Sequence, residues 1–291
     1  MTVEILNLEK QVDAVSKFQF QDASRQERHN KLSIELMSIV ENNTIAAIWD
    51  NAVLIVRVTQ LLEAIMDLIE AERIETVWDR ERCIEWAEEA GIENAESYVD
   101  NKFEIFDDHI EIEGDLLLID SKTRELPVGL TTVGGDLDLY NSEVRELPAG
   151  LTTVGGTLDL YNSQIKVLPA GLTSIGGRLY LGKSQVQELP AGLTSIGGDV
   201  NLKDSQVREL PSGLTTIGGY LFLNNSQLRE LPAGLTTIGR GLWLRGSQIW
   251  DINESLEIGG NVYAKGLPQS LIDKLNKMEE IGNIKGRVIT T

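Results

Sequence analysis

One cysteine, two histidines and seven prolines stand among 291 residues, and each scarcity removes a class of explanation. The single Cys83 excludes an internal disulfide framework and suits a reducing compartment. Two histidines, His29 and His109, cannot make a metal site alone, and neither has a cysteine or serine context that implies activation. Both are expected at the surface. There is no P-loop, no GxSxG elbow and no dinucleotide fingerprint. The opening "MTVEILNLEKQVDA" has neither a basic n-region nor an apolar h-region, so it does not read as a signal peptide. The longest apolar stretch, 44–71, carries Asp50, Arg57, Glu63 and Asp67 and reads as an internal helix rather than a bilayer span.

Positive charge is also scarce. The formal net charge is −19, and it is unevenly held: residues 1–110 carry 24 acidic and 10 basic side chains, residues 111–291 carry 21 and 16. The densest stretch, 70–113, sets 16 carboxylates against 4 bases. Nucleic acid and anionic membrane are therefore poor direct partners, whereas a basic protein surface would be attracted. Carboxylate pairs such as Asp107–Asp108 carry no specificity in so acidic a chain.

The front of the chain has helical periodicity. Segment 22–43 places Leu32, Ile34, Leu36, Met37 and Val40 at roughly helical spacing, with Asp22 or Ser24 as caps. Asn43 or Thr44 would cap the next helix, and Thr76 a third, in which Trp78, Ile84 and Trp86 face inward and Gly91 ends the element. Cys83, between two tryptophans, is expected to be a buried thiol. A short helix is expected near 93–102.

From about residue 109 the period becomes 21. Pro127, Pro148, Pro169, Pro190, Pro211 and Pro232 are each 21 apart, as are Ser121, Ser142, Ser163, Ser184, Ser205, Ser226 and Ser247. A fixed period held this long marks a solenoid. In "LPAGLTSIGGRLYLGKSQVQEL" (168–189) the segment RLYLG alternates, with Leu179 and Leu181 inward and Arg178, Tyr180 and Gly182 outward. Stacked at strand spacing, seven coils form a parallel sheet on the order of 34 Å long. Gly176–Gly177 lets the chain turn into the strand through positive φ or close backbone approach. Ser184 is expected to turn its hydroxyl inward and bond a neighbouring coil. Pro190 rules out a regular interior strand on the far side, and Leu172, Ile175, Val186 and Leu189 fill the interior.

The pattern L-x-L-x-x-S-x-[VIL]-x-x-L-P-x-x-L-x-x-[IV] resembles bacterial leucine-rich repeats, most closely the short LPX class of secreted effectors that carry a helical domain before the repeats. The resemblance covers roughly 109–265. Serine stands where that family has asparagine, and the IGG corner is similar to receptor L-domain solenoids. It implies an α+β chain: an acidic helical domain (1–108), a leucine-rich solenoid with one parallel sheet (109–266) and a helical C-terminal cap (267–291). Some such effectors are ubiquitin ligases with a Cys-x-Asp nucleophile after the repeats. Here the cysteine precedes them and reads Cys83-Ile84-Glu85, so that role does not carry over.

What varies between copies is the outward strand face. Its central position runs Leu117, Asp138, Asp159, Tyr180, Asn201, Phe222, Trp243 and Tyr263, and flanking positions add Tyr140, Tyr161, Tyr220, Lys203 and Arg245. Of eight aromatic residues after position 110, seven fall on this face, Trp250 being the eighth. One reading is a binding face, through which leucine-rich repeats characteristically bind. The other is that aromatics favour strands and stack across coils. The expectation is a non-enzymatic protein that needs no cofactor and binds a protein partner with a basic patch, in a cytoplasm, its own or that of a host. Two alternatives stay open: an acidic decoy of phage or bacterial counter-defence type that blocks a basic nucleic-acid- or nucleotide-handling site, and an effector enzyme with its chemistry in the helical front.

Overall fold

The computed structural model describes residues 23–42, 54, 56–66 and 77–291. The chain divides into two compact units, Met1–Val77 and Trp78–Thr291. No helix among the described residues is long and apolar enough to cross a membrane.

In the first unit, α1 (Ala23–Asn42) and a helical stretch at 56–66 are joined by an Arg57–Glu35 ion pair. The buried side of α1 is not the expected one. Leu36 is buried but Ile34 is 71% exposed, while His29 and Ser33 are buried, with the serine hydroxyl 3.3 Å from the imidazole. His29 is thus not a surface residue: it shares the i, i+4, i+7 stripe with Ser33 and Leu36, which is the stripe that α1 turns inward. The expected caps Asp22, Asn43, Thr44 and Thr76 lie outside the described residues or, for Thr76, just before them.

In the second unit, α2 (Arg80–Glu89) starts at Asp79, whose carboxylate accepts the Arg82 N–H at 2.8 Å. The start lies later than expected because the Trp78 N–H is already committed to the carbonyl of Val128 in the first coil, leaving Asp79, a strong N-cap residue, to satisfy the helix. Gly91, with φ of 80°, follows its end. Cys83 and Trp86 are buried, but Trp78 and Ile84 are only half-buried, Trp78 being covered on one face by the Arg82 guanidinium at 4.6 Å. Burial pushes the Cys83 thiol up to about 12, the low-reactivity setting for a structural cysteine. Helix α3 (Ala95–Lys102) leads into the antiparallel hairpin β1 (Phe103–Ile105) and β2 (Ile110–Ile112), then β3 (Leu116–Leu117), the first strand of the outward face. His109 is half-buried in the hairpin turn rather than at the surface, stacked on Phe106 at 4.4 Å and 2.5 Å from Asp108. Indole Nε1 of Trp86 donates to the Glu125 carbonyl at 2.9 Å, so α2 seals the first coil.

The solenoid then repeats with the expected period. Each coil carries the anticipated strand, exemplified by Leu179–Tyr180, and also a second two-residue strand before the glycine corner, exemplified by Ser174–Ile175. Two nine-stranded sheets result, parallel except for the β1–β2 pair. Register is strict: Leu137, Leu158, Leu179, Val200, Leu221, Leu242 and Val262 stack one above another. All are fully buried, as are Leu139, Leu160, Leu181, Leu202, Leu223 and Leu244. Opposite the sheets each proline carbonyl accepts the N–H three residues on, as in Leu151 to Pro148 at 3.0 Å, closing a turn. That side holds only isolated bridges, such as Glu188 with Glu209.

The glycine pairs act through close approach, not positive φ. A Cβ on Gly197 would sit deep inside the carbonyl oxygen of Gly176, and the same holds for Gly155, Gly176, Gly218, Gly239 and Gly259 against the glycine one coil earlier. Positive φ falls elsewhere, at Asp120, Asn141, Asn162, Lys183, Asp204 and Asn225, where the strand turns out. Their side chains form an exposed ladder, Asn141 to Asp120 at 2.6 Å, Asn162 to Asn141 at 2.7 Å and Asn225 to Asp204 at 3.0 Å. The serine after each is buried, but its role differs from expectation. Its backbone N–H closes the turn onto the leucine three residues back, and among the described residues the hydroxyls of Ser142, Ser163, Ser205, Ser226 and Ser247 have no hydrogen-bond partner, while that of Ser184 donates to Leu181 of its own coil.

At the C-terminal end α4 (Gln269–Glu280) lays Leu271, Leu275 and Met278 over the last layer and is pinned by Lys274–Asp251 at 2.6 Å and Lys277–Glu254 at 3.0 Å. The cap does not end with the helix. "NIKGRVIT" (283–290) echoes "SIGGRLYL" (174–181), and its Val288–Ile289 pairs with Val262–Tyr263 while Ile284 bridges Ile258. The Pro268 turn is kept, with the Leu271 N–H on its carbonyl at 3.0 Å, and the helix is inserted between that turn and a final half-coil made of one strand and one bridge.

The corner and the ladder make opposite predictions. Gly197→Ala forces two backbones apart and should cost about 1–3 kcal/mol or more, as overpacking does. Lys183→Asn, which relieves an unfavourable φ of 56° and can extend the ladder, should stabilise by about 1 kcal/mol. Urea unfolding of both variants against wild type checks the pair.

Candidate functional site

The outward face is built by strand alternation: between two buried leucines, one side chain per coil must point away from the core. The register aligns Asp138, Asp159, Tyr180, Asn201, Phe222, Trp243 and Tyr263 in one row, all half-buried. All eleven residues anticipated for this face, including Tyr140, Tyr161, Tyr220 and Arg245, lie on or beside that row, with Tyr140 and Arg245 exposed. The face nevertheless divides into two groups with different chemistry.

At the end near the first coils, Tyr140 and Tyr161 stack nearly parallel, centroids 5.4 Å apart and planes 6° apart. Gly182 makes room for the stack, since a Cβ there would lie 2.8 Å from the Tyr161 ring. Lys183 extends its ammonium over the same ring at 5.5 Å, and the tyrosine holds that amine above its ordinary range. Asp138 and Asp159 sit side by side in register, each accepting the N–H two residues on, at 2.9 Å from Tyr140 and 2.8 Å from Tyr161. Burial, reinforced by the neighbouring Asp138, raises the Asp159 carboxyl above the usual aspartate range, against the lowering effect of the Tyr161 N–H.

Toward the other end four rings interlock. Phe222 lies 4.7 Å from Trp243, Trp243 stacks on Tyr263 at 4.3 Å, and Tyr220 meets Trp243 edge-on at 5.1 Å. Tyr220, Trp243 and Tyr263 border a recess of about 400 Å³, lined also by Gly259, Gly260, Asn261 and Arg240, whose guanidinium lies 5.4 Å from the Tyr220 ring centroid. Arg240, Asn261 and the recess glycines were not anticipated. A signal existed: the copy at 238–241 reads IGRG where others read IGG, so arginine takes the place of the second corner glycine. Gly241 then stands where Tyr220 stands one coil earlier, and a Cβ there would come within 3.0 Å of the Trp243 ring.

The cross-coil stacking expected of strand aromatics is present. The rings stack across coils, and they do so while framing a recess beside a cation. No group of three or more metal-ligating side chains occurs among the described residues. No protein-family model matches the chain, and no curated protein matches it significantly.

The raised Asp159 carboxyl has a testable sign. Folding disfavours its ionised form, so its contribution is greatest below the unfolded aspartate value of about 3.9 and is lost as pH rises through the folded value. Asp159→Asn keeps the acceptor for Tyr161 and removes the charge, so its melting temperature at pH 7 should equal or exceed wild type, with the margin shrinking toward pH 4. Asp159→Ala loses the acceptor and should cost about 1 kcal/mol.

Proposed function

We propose that this chain is a non-enzymatic binding scaffold whose outward sheet face docks a protein partner. The carrying observation is the recess beside Arg240 bordered by Tyr220, Trp243 and Tyr263, with Phe222 packed behind Trp243, on a face whose inward neighbours stay aliphatic. Aromatic and arginine side chains in partly desolvated clusters are the usual anchors of protein interfaces. The resemblance to bacterial leucine-rich repeats of the short LPX class, which bind through this face, supports the same reading, and the proposed setting is a cytoplasm, its own or that of a host.

The partner on this reading carries a basic patch. The face is acidic at Asp138 and Asp159 and basic at Arg240 and Arg245, and the whole chain at −19 attracts cationic proteins. Its carboxylates disfavour direct nucleic-acid or membrane contact. The decoy reading draws support from the 16 carboxylates at 70–113, although Arg80 spends its charge on Glu96 and Asp100, and Arg82 on Glu85, Glu89 and Glu125. The two readings differ in salt dependence, because a decoy acts through exposed charge that salt screens and ring docking does not.

Affinity capture from bacterial lysate with full-length wild type and two variants tests the proposal. Combined Tyr180→Ala, Phe222→Ala and Trp243→Ala, and separately Tyr140→Arg, which puts a charge that repels a basic patch at an exposed position beside Asp138, should each lower recovery of a specific partner at least tenfold, with far-UV circular dichroism unchanged. Full recovery by both variants, or loss of wild-type binding between about 50 and 300 mM salt over a steep, charge-driven slope, would replace the face reading with the decoy.

A further inference from the structure

The first strand of the face sheet, β3, is an open edge, because among the described residues no strand pairs with it on the side away from Leu137–Asp138. The N–H groups of Leu116 and Leu118 donate to the carbonyls of Asp136 and Asp138. In a parallel strand the intervening residue points its N–H and C=O the opposite way, so those of Leu117 face outward along the free edge. A slot of about 570 Å³ runs beside that edge, walled by the turn after α2 at Gly91 and Ile92 and by Tyr98 of α3. The Tyr98 hydroxyl donates to the Asp115 carbonyl at 3.2 Å and so terminates the edge at one end.

Two features make this edge unlike one protected against pairing. Leu117 and Ile119 are 54% and 51% exposed, where solvated edge strands commonly carry lysine, proline or a bulge. The charges around the slot are also unbalanced. Glu89 faces Arg82 at 3.8 Å and Lys122 faces Glu143 at 3.0 Å, whereas Asp115 and Asp120 have no ion-pair partner among the described residues. They stand at either end of the exposed pair. Each uses one oxygen inside the fold, on the Asp136 N–H and the Asn141 amide, leaving its net charge unneutralised.

We propose that β3 is a strand-addition site for an extended segment of a protein partner, about six residues long by strand rise, with apolar side chains in its middle and lysine or arginine at its ends. Main-chain bonds to Leu117 supply the pairing, Leu117 and Ile119 supply apolar contact, and Asp115 and Asp120 select the basic ends. This site is separate from the ring cluster and does not depend on it.

The test uses the full chain, isotopically labelled, titrated with acetyl-Lys-Val-Thr-Val-Thr-Lys-amide and with the same peptide carrying glutamate at both ends. The lysine-ended peptide should shift resonances of residues 115–120 and Tyr98, slow exchange of the Leu117 amide at least tenfold, and bind at least tenfold tighter than the glutamate-ended one. Leu117→Pro deletes an N–H that makes no bond within the sheet, and should abolish binding of the lysine-ended peptide and its shifts at residues 115–120 and Tyr98. Should that variant unfold, Asp115→Asn with Asp120→Asn keeps both internal acceptors and should make the two peptides bind alike. No binding, shifts centred on another surface, equal affinity of the two peptides for wild type, or Leu117 protection that rises with protein concentration without peptide each overturns the proposal, the last in favour of self-association.

Discussion

Coil must lie on coil closely enough for the corner backbones to touch, and that one spacing governs the rest of the molecule. At Gly155, Gly176, Gly197, Gly218, Gly239 and Gly259 the chain runs so near the preceding coil that no Cβ fits. Given that approach, the strands on both sides of the corner fall into hydrogen-bonding register, leucines stack without gaps and the outward residues form rows. Without it, each two-residue strand would be far too short to hold register. The stack thus replaces strand length with repetition, the general solution by which short elements that cannot bury a face alone become stable.

That dependence explains which parts could be read from residues alone. Period, inward leucines, proline turns and the outward row all follow from spacing, and spacing is visible in a string. The second sheet was hidden because its strands are two residues long, such as Ser174–Ile175, below the length at which alternation can be seen. The glycine pairs leave positive φ and close approach open as explanations, and only close approach is found there; positive φ sits before the serines, mostly at Asn and Asp, which tolerate it, and once at Lys183. The final half-coil at 283–290 is hidden in the sequence because a twelve-residue helix separates it from its Pro268 turn and breaks the 21-residue spacing. On α1 the apolar residues do not mark the register of the buried stripe: the polar pair His29 and Ser33, 3.3 Å apart, occupies it beside Leu36.

The site was legible in position and not in organisation. Alternation placed Tyr180, Phe222 and Trp243 outward, but it could not say that ring packing draws on the neighbouring coils' smallest residues, Gly182 and Gly241. Nor could it say that the aspartates at Asp138 and Asp159 are fastened by their own strand exits. Those facts need the third dimension, since residues 21 apart in sequence become neighbours only after winding.

Stacking and recognition are not competing uses of these rings. A ring pair such as Trp243 on Tyr263, at 4.3 Å, has spent much of its faces on its own chain, which argues against a ligand that needs open aromatic planes. What remains is a set of ring edges held in fixed positions around Arg240. A side chain already immobilised by its neighbours loses little rotamer freedom when a partner arrives, and immobilising a flexible one costs about 0.5–1.5 kcal/mol. On the proposed reading, the cross-coil stack would lower the entropic penalty of docking, and the contacts of a purely structural ladder would be the ones that hold the face rigid for a protein surface.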